Sequence, residues 1–320
     1  LSRQPEPLRM FLLQTSILNR LSGPLCNALT SESDGEAMLE RLEQANIFLS
    51  QLGGECCWYR YHHLFADVTH NLLRQTYPDQ IPELHRRAAI WYEQNDFVPE
   101  AIEHALASED WGYAGSLIDV YSSIVWRSGE VTKVLEWVEK LPDEVAFSYP
   151  RLIVNYGWSC VLTGRFEDCE AACTRIEPLI RDNPQLQVDL LTVQVFLARA
   201  RGQQEQAVEL VLKAQEHSET GSVETRALLM LSLSIALWDL GKVSESASAA
   251  DEAAFLAEQA HNWHAWAVMQ GFLGLAQAAF GNLRLAEEIY QRVTRPVKGI
   301  PKWAGGGFAQ VCLSALFYEW

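Results

Sequence analysis

The sequence predicts a predominantly all-α chain: a small winged-helix domain with a short β-hairpin, then an α-solenoid of helical hairpins. Three observations carry this. Beyond about Pro82 the apolar residues recur only at helical spacing. Four glycines, Gly164, Gly202, Gly241 and Gly281, stand 38, 39 and 40 residues apart, each between a long apolar helix and an amphipathic one. Ahead of that region, "IFLSQL" and "CCWYRY" flank "GGE", two short apolar and aromatic runs around a glycine turn.

From the amino terminus, "PEPLRMFLLQTSIL" and "SGPLCNALT" predict short helices. "SDGEAMLERLEQAN" predicts a third, with Ser33 and Glu36 at capping-box spacing ahead of Met38, Leu39 and Leu42. After the hairpin, "HHLFADVTHNLLRQ" returns to helical spacing, with Leu64, Phe65, Val68, Leu72 and Leu73 on one side. Helices followed by a two-stranded wing place the winged-helix domain at 1–80.

The solenoid spans 81–320, with repeats near 82–108, 110–141, 150–181, 184–218, 222–261 and 262–295, and the start of another at 303. A glycine at the turn enters the left-handed region without a Cβ penalty. Five residues on stands a small residue, Cys169, Ala207, Ser246 or Ala286, which lets the two helices approach closely. Asp96 and Gly129 open earlier, degenerate members. In "QVDLLTVQVFLARA" one apolar row is Val188, Leu191, Val195 and Ala198, and another is Leu190, Val193, Leu197 and Ala200. A helix apolar on two sides is sandwiched between neighbours. The partner helix has one stripe, Ala207, Leu210, Val211 and Ala214, and Asn183–Pro184 supplies a cap and a first-turn proline. Such an array is quasi-one-dimensional and curved, and its concave surface is its binding surface.

Composition bounds the function. The 320 residues are 48% hydrophobic and carry a net charge of -16, with a pI near 4.9. That charge argues against direct nucleic-acid binding, which needs clustered Lys and Arg. No run approaches the roughly 18 apolar residues of a membrane helix, and no signal peptide is evident. Seven scattered cysteines suit reduced thiols and a cytoplasmic location. The first residue is not Met and the last stretch, "CLSALFYEW", is mid-pattern, so a segment of a longer protein is expected.

Candidate chemistry is sparse. Cys56 and Cys57 are adjacent on a strand and point to opposite faces. Cys169 and Cys173 share a helix face near Cys160 but lack zinc-ligand spacing. His62, His63 and His70 lack the one-turn spacing of a metal pair, so no metal site is assigned. No nucleophile lies in a triad context and no enzyme is expected. Trp158, Trp238, Trp263 and Trp266 lie in the repeats, the last two in "HNWHAW" with His261 and His264. Aromatic rows at helical spacing are usually core, yet tryptophans exposed in a groove could stack an effector.

The 38–40 spacing resembles tetratricopeptide-like repeats. "FLLQTSILNRLSGPLCNALT", "LERLEQANIFLSQL", "WYRYHHLFAD", "ELHRRAAIWYEQN" and "EAIEHALASEDWGYAGSLI", from Met10 to Ile118, resemble the MalT-type, large ATP-binding branch of the LuxR family of bacterial transcription activators. The resemblance implies a parent with a nucleotide-binding domain, this winged helix, an inducer-receiving superhelix and a DNA-binding helix-turn-helix. This sequence has no phosphate loop and no basic recognition helix. ATP or ADP would therefore bind the parent's domain in cis, and DNA would be reached only through the helix-turn-helix. It also implies that His62, in "YHHLF", reaches the phosphates of ADP held by the full-length protein. The expected function is the regulatory, inducer-sensing segment of such an activator, with a small-molecule inducer or protein regulator on the solenoid. The alternative is a helical-repeat adaptor for protein partners with no nucleotide link.

Overall fold

The computed structural model describes residues 5–45, 48–52, 58–127, 130–215, 222–294, 310–311 and 313–314. The contacts divide the chain into two compact units, Leu1–Tyr149 and Pro150–Trp320. Cys56, Cys57, the hairpin turn, Gly129 and the repeat expected at 303 lie outside the described residues, as does the side chain of His264.

The first unit opens with α1 (Glu6–Thr15), α2 (Gly23–Thr30) and α3 (Gly35–Gln44). Ser22 caps α2 by accepting from the Leu25 N–H, with Pro24 in the first turn. Strands β1 (Leu49–Leu52) and β2 (Trp58–Tyr61) pair antiparallel in the register Leu49–Tyr61 to Leu52–Trp58. Leu21 adds a bridge to Tyr59, each donating its N–H to the other's carbonyl at 2.8 Å. Phe11, Leu12, Leu13, Leu25, Leu29, Leu39, Leu42 and Tyr61 close a core between helices and wing, with a buried Thr15–Tyr61 hydroxyl bond of 2.8 Å.

One expectation here is corrected. The capping box is not made: α3 begins at Gly35 with Asp34 at the cap and no side-chain cap bond. Asn27 of α2 takes the Gly35 N–H at 2.8 Å instead, a contact so close that a Cβ on Gly35 would sit 2.6 Å from Asn27 Oδ1. In α4 (His63–Thr76) the inward residues are Thr69 and Leu73, whereas Leu64 and Val68 are more than half exposed. Helix α1 packs along one edge of α4, and the adjacent edge faces solvent.

Helices α5 (Ile81–Gln94), α6 (Val98–Ala107), α7 (Trp111–Arg127), α8 (Val131–Lys140) and the one-turn α9 (Asp143–Ala146) complete the unit. The α5–α6 turn has no glycine. Asp96 takes φ +63°, and Phe97 N–H closes onto the Tyr92 carbonyl at 2.9 Å.

Among the described residues the second unit has four helical hairpins: α10 (Pro150–Leu162) with α11 (Phe166–Ile176), α12 (Pro184–Ala200) with α13 (Gln204–Gln215), α14 (Val223–Asp239) with α15 (Val243–Gln259), and α16 (Trp263–Ala279) with α17 (Leu283–Thr294). Gly164, Gly202, Gly241 and Gly281 have φ of +74° to +81°. After each, an N–H reaches back five residues, as Gln203 does to Ala198 at 2.9 Å. Cys169, Ala207, Ser246 and Ala286 are fully or almost fully buried at the crossings. Both apolar rows of α12 are buried except at Ala200, which the end of the helix leaves exposed. Asn183 caps α12 through the Leu186 N–H at 3.1 Å. Each first helix packs on the next (α10 on α12, α12 on α14, α14 on α16), and each second helix fits against first helices on either side. The first helices are therefore the inner layer of this unit.

Candidate functional site

The two regions singled out by sequence lie in different units. His62 precedes α4 at the cap position. Its N–H donates to the Phe48 carbonyl at 2.7 Å, and its own carbonyl receives Phe65 and Ala66 N–H, starting the helix. The imidazole makes no capping bond; it is exposed and lies 4.4 Å, centroid to centroid, from the His63 ring. The first N–H groups of α4, at His63 and Leu64, have no intrahelical acceptor, as at any helix start. An exposed imidazole beside such donors is an arrangement that can contact an anion.

Below this, the wing meets the first hairpin. The Arg20 guanidinium lies 4.4 Å from the Trp58 centroid and 4.5 Å from that of Phe97, and pairs with Glu100 at 2.5 Å. Trp91 stacks on Phe97 at 6.1 Å and 12°, and Tyr92 meets it edge-on. Sequence reasoning missed this clamp. Arg20 had no pattern around it, and its partners lie far along the chain.

In the second unit Trp158 and Trp266 are each 8% exposed and pack in the interior, Trp158 edge-on to Phe196 at 4.7 Å. Trp238 and Trp263 are half-buried, Trp238 edge-on to Phe272 at 6.4 Å and Trp263 beside Trp266 at 6.2 Å. Cys169 and Cys173 do share a face, their sulfurs 3.9 Å apart and both buried, and each thiol acts as packing. On α12, Asp189 accepts from Thr225 at 2.8 Å and Gln185 at 3.0 Å, and burial raises its pKa.

Comparison with known proteins agrees with this layout. Residues 1–81 match the family model of the MalT winged helix domain. The serine/threonine-protein kinase PknK of Mycobacterium tuberculosis is 35% identical over 174 residues, covering 54% of this chain and 16% of the kinase. The HTH-type transcriptional regulator MalT of Vibrio parahaemolyticus is 27% identical over 286 residues, covering 85% of this chain and 32% of the regulator. The chain thus spans about a third or less of these relatives. A signal transduction ATPase with a tetratricopeptide repeat sensor from Pyrococcus horikoshii superposes with a TM-score of 0.60 at 11% identity, over 99% of this chain and 54% of its own, which shows the fold alone. No described helix is long and apolar enough to cross a membrane. Residues 1–81 thus match the MalT winged helix domain, and the chain is similar to MalT-type regulators in carrying that domain ahead of tetratricopeptide-like helical hairpins.

Proposed function

We propose that this chain is the regulatory and effector-sensing part of a MalT-type, nucleotide-switched transcriptional regulator. The hairpins bind a small molecule or protein regulator, and the winged helix passes that event to a nucleotide-binding domain in cis. The observation that carries the reading is the Arg20 clamp. It ties the wing at Trp58 to the first hairpin at Phe97 and Glu100, so displacement of one displaces the other. The nucleotide and the DNA belong to other domains of the parent, and no catalytic step falls to this chain. His62 and the first N–H groups of α4 fit contact with an ADP phosphate presented from outside.

The test is His62→Ala in the full-length protein. ADP affinity should drop on the order of tenfold, the worth of one charge-assisted hydrogen bond, and basal activity should rise while the fold is retained. Unchanged ADP affinity and basal activity would remove the nucleotide link and leave a helical-repeat adaptor as the better reading.

A further inference from the structure

The inner layer of the second unit holds a cation, Arg199, with no ion-pair partner among the described residues. Three residues before each turn glycine stand Val161, Arg199, Trp238 and Ala278. Arg199 leans over Phe196, its Cζ 5.3 Å from the ring centroid. Its Nε is sealed from solvent and has no hydrogen-bond partner among the described residues. Burial lowers its pKa, and the charge of Asp239 only partly opposes that. Other arginines of this unit are placed differently. Arg165 pairs with Asp168 at 2.7 Å and Arg201 with Glu170 at 2.9 Å, all near the surface. Among the described residues no carboxylate comes within ion-pair distance of Arg199. The acid on the same helix, Asp189, is engaged by Thr225 and Gln185.

A guanidinium partly drawn out of water, with its Nε sealed and unpartnered, is costly unless something else answers the charge. Beside Arg199 lies the half-buried Phe196 of the same helix, and the half-buried Trp238 holds the equivalent register on the next first helix, which packs against it. Guanidinium forks favour carboxylates and phosphates, and flat rings favour an apolar body.

We infer that the inner face of the second unit binds a small organic anion, its carboxylate or phosphate on Arg199 and its apolar body against Phe196 and Trp238. This rests on the effector-sensing reading above and specifies the ligand's chemistry. The competing role for Arg199 is structural, with Asp239 swinging in to pair with it.

The experiment is calorimetric titration of the 320-residue chain with phenylacetate, phenyl phosphate and the neutral phenylacetamide. At least one anion should bind with a Kd of about 1 mM, the strength expected of a ligand of this size, and the head group that binds identifies which acid is read. Phenylacetamide should bind at least tenfold more weakly. Arg199→Met should abolish anion binding and raise the Tm by about 2–4 °C, because an unpaired charge is gone, while Arg199→Lys should retain part of the binding. Equal binding of the amide, undiminished anion binding in Arg199→Met, or no binding by either anion overturns the inference. So does a fall in Tm in both Arg199→Met and Asp239→Asn, which gives Arg199 the structural role. A neutral ligand whose binding survives Arg199→Met would overturn the anion assignment and leave the effector reading standing, since that reading answers to nucleotide coupling at His62.

Discussion

Arg20 and Glu100, separated by 80 residues in the chain, meet at 2.5 Å, and the same guanidinium is layered between Trp58 and Phe97. The ion pair is about one-third exposed at either end and by itself contributes little. The two aromatic faces change that, because each adds a cation–π contact in a partly dry setting. Arg20→Ala is therefore expected to destabilise the chain by about 2 kcal/mol. Arg20→Lys should recover less than half, since an ammonium keeps the charge and loses the flat face. Urea unfolding, with amide exchange across α5 and α6, checks both. A loss below about 0.5 kcal/mol in Arg20→Ala, the level of an ordinary surface substitution, would show that the clamp does not hold the wing to the first hairpin.

A second prediction concerns acid. His85 on α5 and His104 on α6 have their Nδ1 atoms 2.8 Å apart, and His104 stacks on Tyr92 at 5.3 Å. One Nδ1 donates and the other accepts, so a doubly protonated pair would set two N–H groups against each other. Burial, then the charge of His85, pushes His104 down to about 3; burial, then His70, pushes His85 down to about 4. The unfolded chain takes up these protons near pH 6.5 and the folded chain does not. The contribution is thus fully present above pH 6.5 and is lost as the pH falls toward 4 and below. With His85 discounted for its partial exposure, the pair should cost about 2 kcal/mol of stability at pH 5 relative to pH 7.5. His104→Gln should flatten part of that slope in urea midpoints measured at the two pH values. An identical slope in the parent chain and the variant would place the acid sensitivity elsewhere.

What the sequence showed and what it hid divide along the range of the interactions. The turn glycines, the small residues at Cys169, Ala207, Ser246 and Ala286, and the Asn183 cap act within one hairpin, and each appears in the structure as the spacing implies. Asp96 shows that the turn tolerates another residue at φ +63° when the closing Phe97–Tyr92 bond is made, so the first hairpin was legible only as a degenerate repeat. The capping box at Ser33 failed because Asn27, on another helix, supplies the acceptor. Leu64 and Val68 read as part of one apolar side, and helical periodicity marks such a side without saying how much of it a neighbour covers. Arg20 and Arg199 carried no local signal. The first matters through residues about 40 and 80 positions away, the second through its lack of an ion-pair partner among the described residues.

The last prediction separates two uses of glycine within the repeats. A Cβ at Gly241, where φ is +74°, would meet nothing within 4 Å, so Gly241→Ala should cost only the left-handed backbone strain, about 1 kcal/mol. Gly274 lies inside α16, and its Cβ would come 2.3 Å from Cε1 of Tyr290 on α17, a ring that is 1% exposed and has no room to withdraw. The corresponding position in the preceding hairpin is Ser234, which faces a crossing built from Ser246 and Ala250 and bonds the Ser246 hydroxyl through its carbonyl at 2.7 Å. A large ring on one helix thus requires glycine on the other, whereas small residues on both sides tolerate a Cβ. Gly274→Ala should cost about 2–3 kcal/mol by overpacking. In a Tyr290→Val background the same substitution should cost under about 1 kcal/mol, because the ring it struck is gone, and the coupling between the two sites should exceed about 1 kcal/mol. A double-mutant cycle by urea unfolding measures it, and additive effects would show that α16 and α17 separate freely at this crossing.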